Sequence, residues 1–227
     1  KFLSDSTSTI IFEEILRYWR DGDRDILNRF KNLEKNIYFN EPFLEKRWDH
    51  VYFDVGAFTG DSLRLFRRNF PDYNSSVLFE PNRSLTPGKG LLTEKDIYLN
   101  VACSDEEASG YLSLNGINST LSKTSKINSI EVKVTTLDRV SKSMAVIPTF
   151  IKIDAEGLDI KVLRGAMELC QFAKPVIALS VYHNPLHIIE GLHLLICAGY
   201  KGIYLRKYCD YNAETILYGI HDRGRHH

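Results

Sequence analysis

A glycine turn between an apolar strand and an amphipathic helix constrains this chain more than any other feature. In the stretch VYFDVGAFTG, residues 51–53 are β-branched or aromatic, Gly56 and Gly60 follow Asp54, and apolar residues then recur at helical spacing. The pattern predicts a strand, a tight turn and a helix. A helix that begins on such a turn presents backbone N–H groups and a positive dipole end. We therefore expect the turn to bind an anionic or strongly polar group.

A second apolar strand, SVLFE, ends in a carboxylate 20 residues after Gly60. In a doubly wound sheet, an acid at this spacing accepts hydrogen bonds from a ribose hydroxyl. Glu80 and the turn together indicate a cofactor that contains adenosine. The glycine spacing is G-A-F-T-G and not G-x-G-x-x-G, so it poorly accommodates the pyrophosphate of a dinucleotide. S-adenosylmethionine, which has no phosphate and a zwitterionic end, suits the turn better, and an NAD-dependent oxidoreductase is the alternative.

The charge of the chain argues against several classes of partner. Lysine and arginine number 29, as do aspartate and glutamate, so the formal net charge is zero and no general field attracts nucleic acid. There is no basic stripe with interleaved aromatic residues, so we expect no nucleic-acid partner. We also expect no transmembrane segment, because no apolar run approaches the roughly 20 residues that a membrane-spanning helix needs.

Cysteine usage favours a cytoplasmic protein. The four cysteines form no C-x-x-C pair, and three of them fall in apolar segments, as expected for reduced core thiols. No signal peptide is visible, although a chain that begins at Lys1 is compatible with a fragment of a longer protein. At 227 residues we expect one main domain with an elaborated end.

Residues 1–49 are predicted to form an N-terminal helical cap on a main domain of residues 50–227. Apolar residues recur at spacings of three and four on either side of Asp21-Gly22-Asp23, which predicts two amphipathic helices. The apolar positions are Ile11, Ile15, Tyr18, Ile26, Phe30, Leu33 and Ile37. Such a cap either covers the sheet or closes over a substrate.

The segment after Glu80 is a poor helix and is predicted to be a loop over residues 82–95, because it contains Pro87, Gly88 and Gly90. Residues 97–102 are predicted as the third strand. Cys103-Ser104-Asp105 would then lie at its carboxyl end, where a doubly wound fold places the adenine ring. For Asp105, an exposed polar turn is the alternative. Residues 111–114 and 131–137 alternate as strands do and predict a β excursion around a loop.

The stretch TFIKIDAEGLDIKVLRG carries the second unusual signal. Alternation along a strand places Lys152, Asp154 and Glu156 on one face. Central parallel strands are normally apolar throughout, so three charges on one face indicate a functional site. The alternative is a structural ion pair between Lys152 and one of the two carboxylates.

The remaining elements complete an α/β fold. Residues 175–182 form a further strand that ends at Tyr182, His183 and Asn184, and two closing strands at 200–206 and 215–220 are joined too closely for a helix and so pair antiparallel. We predict a doubly wound, mostly parallel seven-stranded Rossmann-like sheet with an N-terminal helical cap. Its last strand returns between its neighbours, which is the layout of class I methyltransferases.

Several of these segments together resemble the FkbM family of S-adenosylmethionine-dependent methyltransferases. They are FDVGAFTGDS, FEPN, NVACSD, VKVTTLD and above all FIKIDAEGLDIKVLRGA, and the resemblance runs from about residue 52 to 220. The sequence departs from the family pattern at Phe58-Thr59, where Asn-Ile is usual, and at residues 87–90, where the family has a fuller helix.

The resemblance implies O-methylation of a hydroxyl on a sugar, glycan or natural product, with a small-molecule or glycan acceptor. By analogy, the methionine end of the cofactor lies on the turn, the ribose at Glu80 and the adenine near Ser104 and Asp105. The implied cofactor-binding residues are Asp54, Gly56, Ala57, Phe58, Thr59, Gly60, Asp61, Glu80, Pro81, Asn82, Ser104, Asp105 and Asp154.

Transfer to oxygen requires that the hydroxyl proton leave, because a neutral alcohol is a weak nucleophile. Candidate catalytic residues are His183, Asp154, Glu156 and Lys152, and His183 is the first choice as base because the usual histidine pKa suits neutral pH. The alternative for His183 is a structural residue at a helix start. Asp154 and Glu156 could instead bind Mg²⁺, but a third clear ligand is missing and we expect no metal. A non-catalytic module that keeps the fold as an interaction surface is the remaining alternative, and it predicts a cavity blocked by Phe58 or by the loop at 82–95.

Overall fold

The computed structural model describes residues 2–30, 37–46, 49–113, 120–122 (backbone only), 129–211 and 213–221. The strands are β1 (Val51–Val55), β2 (Ser75–Phe79), β3 (Asp96–Leu99), β4 (Ala102–Cys103), β5 (Ala108–Ser113), β6 (Thr120–Ser122), β7 (Ser129–Thr135), β8 (Phe150–Ile153), β9 (Val176–Ser180), β10 (Gly202–Lys207) and β11 (Thr215–Ile220). The helices are α1 (Ser6–Asp21), α2 (Asp61–Asn69), α3 (Leu137–Met144), α4 (Asp159–Arg164), α5 (Met167–Phe172) and α6 (His187–Cys197).

A seven-stranded sheet organises the molecule, in the order β10-β11-β9-β8-β1-β2-β3. Strands β3, β2, β1, β8 and β9 pair in parallel, and β11 lies antiparallel between β9 and β10. The central strands β1, β2, β8 and β9 are buried along most of their length, as expected of strands covered on both faces. The prediction of a doubly wound, mostly parallel seven-stranded sheet is confirmed.

The register of β1 determines which polar residues meet at the carboxyl edge of the sheet. Val55 is paired with Phe79 on one side and with Ile153 on the other. The residues that follow these partners are Glu80 and Asp154. The two carboxylates therefore flank the turn that follows β1, as the sequence predicted.

The N-terminal segment supplies part of the core on both faces of the sheet. Ile11 and Ile15 of α1 belong to the same apolar cluster as Phe53, whereas Phe39 belongs to the aromatic cluster that contains Tyr52. Adjacent residues of a strand point to opposite faces, so the segment reaches both sides of β1. Tyr52 is stacked on Phe66 with ring centroids 4.0 Å apart. Each such buried aromatic side chain contributes roughly 1.5–3 kcal/mol.

Only the first N-terminal helix has the predicted form. Helix α1 begins at the N-cap Asp5, whose side chain accepts a hydrogen bond from Ser8 N, and ends at Gly22 with φ of 69°. The second is a 3-10 helix, Arg24–Phe30, and residues 31–36, including Leu33, lie outside the described part of the chain. Within the described residues, no helix combines the length and the apolar character that crossing a bilayer requires.

The predicted third strand is too long. Strand β3 ends at Leu99, and Ala102–Cys103 belongs instead to a separate four-stranded sheet in the order β4-β7-β5-β6. The chain leaves the main sheet at Asn100, whose side-chain amide donates to the carbonyl oxygen of Glu80. Ser104 and Asp105 consequently follow the small sheet and not a main-sheet strand. Much of the predicted loop of this β excursion, at 114–119 and 123–128, lies outside the described residues.

Candidate functional site

The turn after β1 brings the backbone of two strands unusually close together. Gly56 has φ of 73°, and a Cβ at this position would lie 1.8 Å from the carbonyl oxygen of Asp154. Glycine is required here because a side chain would clash with that backbone and be strained at this φ. Gly60, with φ of 81°, forms the N-cap of α2 and supplies no side-chain cap to the helix. The sequence thus forms a tight main-chain cradle that leads into a helix N-terminus.

Glu80 closes one side of this cradle. Its Oε2 accepts a hydrogen bond from Phe58 N at 3.0 Å, and its Oε1 accepts one from Asn82 N at 2.9 Å. Burial raises the pKa of the Glu80 carboxyl, and the two backbone hydrogen bonds oppose this shift. Each carboxylate oxygen can accept a further hydrogen bond, so Glu80 can hold the turn and a ligand at once.

A buried ion pair lies beneath the cradle. Lys152 Nζ is 3.2 Å from Asp54 Oδ1 and donates to the carbonyl oxygens of Val55 and Gly56 at 3.2 and 2.9 Å. Ser62 Oγ donates to Asp54 Oδ2 at 2.5 Å. Burial opposes both charges and raises the pKa of Asp54, but Asp54 raises the pKa of Lys152 above its usual value. The opposite charges of the two groups stabilise one another, and the two carbonyl oxygens accept hydrogen bonds from the ammonium.

This pairing corrects one sequence-based alternative. The alternative to a functional site was an ion pair of Lys152 with Asp154 or Glu156, but its partner is Asp54 on the neighbouring strand, directly opposite in the register of β1 and β8. Lys152 therefore stabilises the glycine turn by donating hydrogen bonds to the carbonyl oxygens of Val55 and Gly56.

A cavity of about 360 Å³ opens at this edge of the sheet. One part of its wall is apolar and includes Phe79, Val101 and Leu112, and the polar part contains carboxylates. Those carboxylates belong to Asp61, Glu80, Asp154, Glu156 and Glu214. The volume is within the roughly 300–1,000 Å³ of small-molecule sites. Phe58 and Leu85 line the cavity and do not fill it.

Asp154 is held from several sides at the cavity wall. Tyr38 donates to its Oδ2 at 2.9 Å and Tyr182 donates to its Oδ1 at 3.2 Å. Tyr38 adopts φ of 69°, a conformation uncommon for a bulky residue, and its ring lies 5.5 Å from Lys152 Nζ. Strained residues of this kind cluster at functional sites.

His183 lies beside this carboxylate and differs from its prediction. Its Nδ1 is 2.8 Å from Asp159 Oδ2, and its Nε2 is 3.5 Å from Glu156 Oε2 and 3.8 Å from Asp154 Oδ1. Burial alone would lower the pKa of His183, but the hydrogen bonds with Asp159 and Glu156 and the surrounding charges raise it to about 10. The expected near-neutral pKa is wrong, because the sequence did not reveal three carboxylates around one ring. At neutral pH the ring is an imidazolium.

The structure brings many of the predicted site residues to one cavity. Those that line it are Gly56, Phe58, Asp61, Glu80, Pro81, Lys152, Asp154 and Glu156. The other predicted residues are not among its lining residues: Asp54, Ala57, Thr59, Gly60, Asn82, Ser104, Asp105 and His183. Asp54 is fully buried, and Ser104 Oγ donates to Asp105 Oδ1 at 3.0 Å. The cofactor contacts and catalytic roles of both groups stay predictions.

Sequence reasoning missed several polar residues of the site. Tyr38, Tyr182 and Glu214 line the cavity, and Asp159 holds His183. Tyr182 is the last residue of a predicted strand, and its position beside His183 could have identified it as a site residue. Tyr38 and Glu214 lie far from every motif, in segments with no periodic signal.

The chain matches one family model, that of the methyltransferase FkbM domain, over residues 54–198. Its fold is similar to the crystal structure of the methyltransferase FkbM from Methylobacillus flagellatus KT, with a TM-score of 0.77 and 18% sequence identity. This match covers 96% of the present chain and 56% of that chain, so the present chain spans little more than half the length of that protein. No curated protein matches the chain significantly.

Two further solved structures are more distant. A precorrin-6y C5,15-methyltransferase from Geobacter metallireducens GS-15 matches with a TM-score of 0.46 and 12% identity, over 87% of the present chain and 88% of that chain. A complex of a methyltransferase activator with a putative methyltransferase from Haloferax volcanii matches with a TM-score of 0.40 and 9% identity, over 90% and 96% of the respective chains. Similarity at this level carries no argument about the site.

Proposed function

The chain belongs to the FkbM methyltransferase domain family, and from this membership we propose that it transfers a methyl group from S-adenosylmethionine to a hydroxyl of a sugar, glycan or natural product. Membership of this family supports methyl transfer, and the activity itself is part of our proposal because the chain spans 56% of the similar solved chain. The cofactor and the acceptor class are our proposal, and the contacts of the cavity support them.

The residues of the cavity fit S-adenosylmethionine. Gly56 lets the turn approach the backbone of Asp154 and so shapes the cradle, Glu80 retains acceptor capacity for ribose hydroxyls, and an apolar wall suits the adenine ring. The turn at residues 56–60 and the N-terminus of α2 would hold the methionine end. When bound, the cofactor supplies an electrophilic methyl group on a positively charged sulfur.

The carboxylates of the cavity suit a cationic cofactor and a hydroxyl-bearing acceptor. Lys152 lines the cavity, but its ammonium is already engaged by Asp54 and two carbonyl oxygens. Acidic walls therefore dominate, and they repel an acceptor with a net negative charge, whereas S-adenosylmethionine carries a net positive charge. We expect a neutral, hydroxyl-rich acceptor in preference to an anionic one.

Asp154 is the proposed proton acceptor for the acceptor hydroxyl. The protonated His183 cannot take this proton at neutral pH, but it lies 3.8 Å from Asp154 and stabilises its negative charge. Tyr38 and Tyr182 orient the carboxylate by their hydrogen bonds. A fixed carboxylate can position the hydroxyl for in-line attack and receive its proton during the transfer.

The observation that carries this proposal is that Glu80 and Asp154 flank the Gly56 turn on the two strands beside β1, at the wall of one cavity. We would first analyse the purified protein by mass spectrometry for bound S-adenosyl compounds and measure S-adenosylhomocysteine binding by calorimetry. Methyl-donor turnover would then be followed across neutral sugars, glycolipids and phosphorylated sugars.

Binding of S-adenosylhomocysteine together with turnover on neutral acceptors supports the proposal. Preferential binding of NAD would favour the oxidoreductase alternative. The absence of any nucleoside binding would favour a non-catalytic module, and turnover restricted to phosphorylated acceptors would contradict the acceptor class.

A further inference from the structure

A cluster of metal-ligating side chains lies next to the cavity wall. Among the described residues, Asp154, Asp159 and His183 bring one ligand atom each within 4.8 Å of one another. Asp159 is fully buried, and the other two are partly exposed. The cluster combines the end of β8, the start of α4 and the segment after β9. The glycine turn is not part of it.

A fourth side chain, that of His187, lies next to Asp159 of this cluster. The side chain of His187 is 9% exposed, its Nδ1 lies 3.7 Å from Asp159 Oδ2, and within the described part of the chain this nitrogen has no hydrogen-bond partner. A buried polar atom without a partner is costly, by roughly 1–3 kcal/mol, and calls for a compensating ligand. The proposed cofactor roles of the turn and Glu80 do not account for this nitrogen.

Backbone N–H groups fix the position of the Asp159 carboxylate. Its Oδ1 accepts a hydrogen bond from Ala155 N at 2.7 Å, and its Oδ2 accepts one from Gly157 N at 3.1 Å. A carboxylate held by backbone amides is pre-organised as a ligand, as are the supported ligands of known metal sites. The same carboxylate lies against both imidazole rings.

We propose that Asp154, Asp159, His183 and His187 form a binding site for one divalent transition-metal ion. The donor set contains two imidazoles and two carboxylates, which suits Zn²⁺, Mn²⁺, Fe²⁺ or Co²⁺ better than the all-oxygen sites of Ca²⁺ or Mg²⁺. The ion replaces the proton that His183 Nδ1 shares with Asp159, and that proton is released to solvent. In the metal-bound protein the ion, in place of the imidazolium, stabilises the negative charge of Asp154. Because Asp154 lines the cavity, the ion would lie beside the acceptor hydroxyl.

The test uses the full chain and Co²⁺ alone as the probe, without cofactor or acceptor. Protein treated with EDTA and then freed of chelator is titrated with CoCl₂ at pH 7.5, and binding is followed by visible absorption and calorimetry. We expect one equivalent of Co²⁺ to bind and Zn²⁺ to displace it. His183→Ala and His187→Ala should each weaken binding at least tenfold.

Matched variants separate this site from adventitious binding. His193→Ala removes an exposed histidine of the same helix α6, and a double variant His226→Ala/His227→Ala removes the C-terminal histidines. Both should bind Co²⁺ as the wild type does. His187→Gln is a second variant in case His183→Ala fails to fold, as judged by circular dichroism.

The proposal is overturned if the wild type binds no Co²⁺ at millimolar concentrations, if binding survives in folded His183→Ala and in both His187 variants, or if it disappears with the C-terminal histidines. None of these outcomes bears on whether S-adenosylhomocysteine binds, which is measured separately.

Discussion

Tyr38 donates a 2.9 Å hydrogen bond to Asp154 and thereby joins the segment before β1 to the carboxylate that follows β8. Tyr38 is almost fully buried and its backbone is held at φ of 69°. The N-terminal segment is thus part of the site wall as well as part of the core.

Replacing Tyr38 with Phe should slow methyl transfer and leave cofactor binding unchanged. The variant removes one donor that orients Asp154, so we expect kcat to fall roughly tenfold, or about 1.4 kcal/mol in the barrier. Tyr200→Phe is the matched control, because it removes the hydrogen bond of a similarly buried tyrosine, to Pro175 O at 2.7 Å, outside the site. Equal turnover of the two variants would contradict a role for Tyr38 in the site.

Glu80→Gln should weaken S-adenosylhomocysteine binding at least tenfold, about 1.4 kcal/mol. The side-chain amide nitrogen that the substitution introduces would face one of two backbone donors, Phe58 N or Asn82 N, and cannot accept from a ribose hydroxyl. Isothermal calorimetry measures the change. Glu168→Gln, at an exposed carboxylate paired with Lys142, should bind the ligand as the wild type does, and an unchanged affinity in Glu80→Gln would remove Glu80 from the cofactor site.

Lys152→Met should lower the free energy of unfolding by about 3–5 kcal/mol, because it leaves the buried Asp54 carboxylate without its cation. Urea unfolding monitored by circular dichroism gives the change. The exposed pair of Arg164 and Glu190 provides the control, since Arg164→Met should change stability by no more than about 1 kcal/mol.

The double variant Asp54→Asn/Lys152→Met tests the origin of that loss. If an unpaired charge causes it, the double variant loses less stability than the sum of the two single variants. Strict additivity would mean that Lys152 stabilises the fold mainly through its contacts with the turn.

Gly56→Ala should abolish cofactor binding and destabilise the protein more than Gly22→Ala does. Both glycines have φ near 70°, but a Cβ at Gly56 would meet a carbonyl oxygen at 1.8 Å, whereas one at Gly22 meets nothing within 4 Å. The backbone conformation alone costs about 1–2 kcal/mol. Thermal unfolding of the two variants isolates the additional effect of the clash. Equal losses of stability in the two variants would show that the close approach of Gly56 to the Asp154 carbonyl oxygen is unimportant.

The stability contribution of His183 should depend on pH when metal is removed with EDTA. The pKa of His183 is raised from 6.5 to about 10 in the folded protein, so its stabilisation is complete below about pH 6.5 and is lost as the pH rises towards 10. The wild type should therefore lose stability relative to His183→Gln between pH 7 and 9.5 in urea unfolding. A constant difference between the two proteins would contradict the raised pKa.

Local sequence patterns were sufficient for the turn and for most strands of the seven-stranded sheet. Gly56 and Glu80 could be placed because a strand, a turn and a carboxylate follow one another within 30 residues. The antiparallel pairing of β10 and β11 followed from a loop too short for a crossover helix.

Long-range partners were beyond the sequence. The partner of Lys152 depends on the register of β1 against β8, which no local pattern fixes. The charge of His183 depends on Asp159, 24 residues earlier, and the contact of Tyr38 with Asp154 spans 116 residues. The third strand was predicted too long because residues 97–102 have one β pattern but serve two sheets.

Tyr38 and Glu214 lie on either side of the part of the chain that matches the family model, at 54–198. A recombinant fragment cut to those limits would keep the glycine turn but lose both side chains from the cavity. It would also lose β10 and β11, so the buried strand β9 would become an open sheet edge available for pairing with other molecules. Aggregation of such a fragment would then reflect the missing strands and would say nothing about the chemistry of the site.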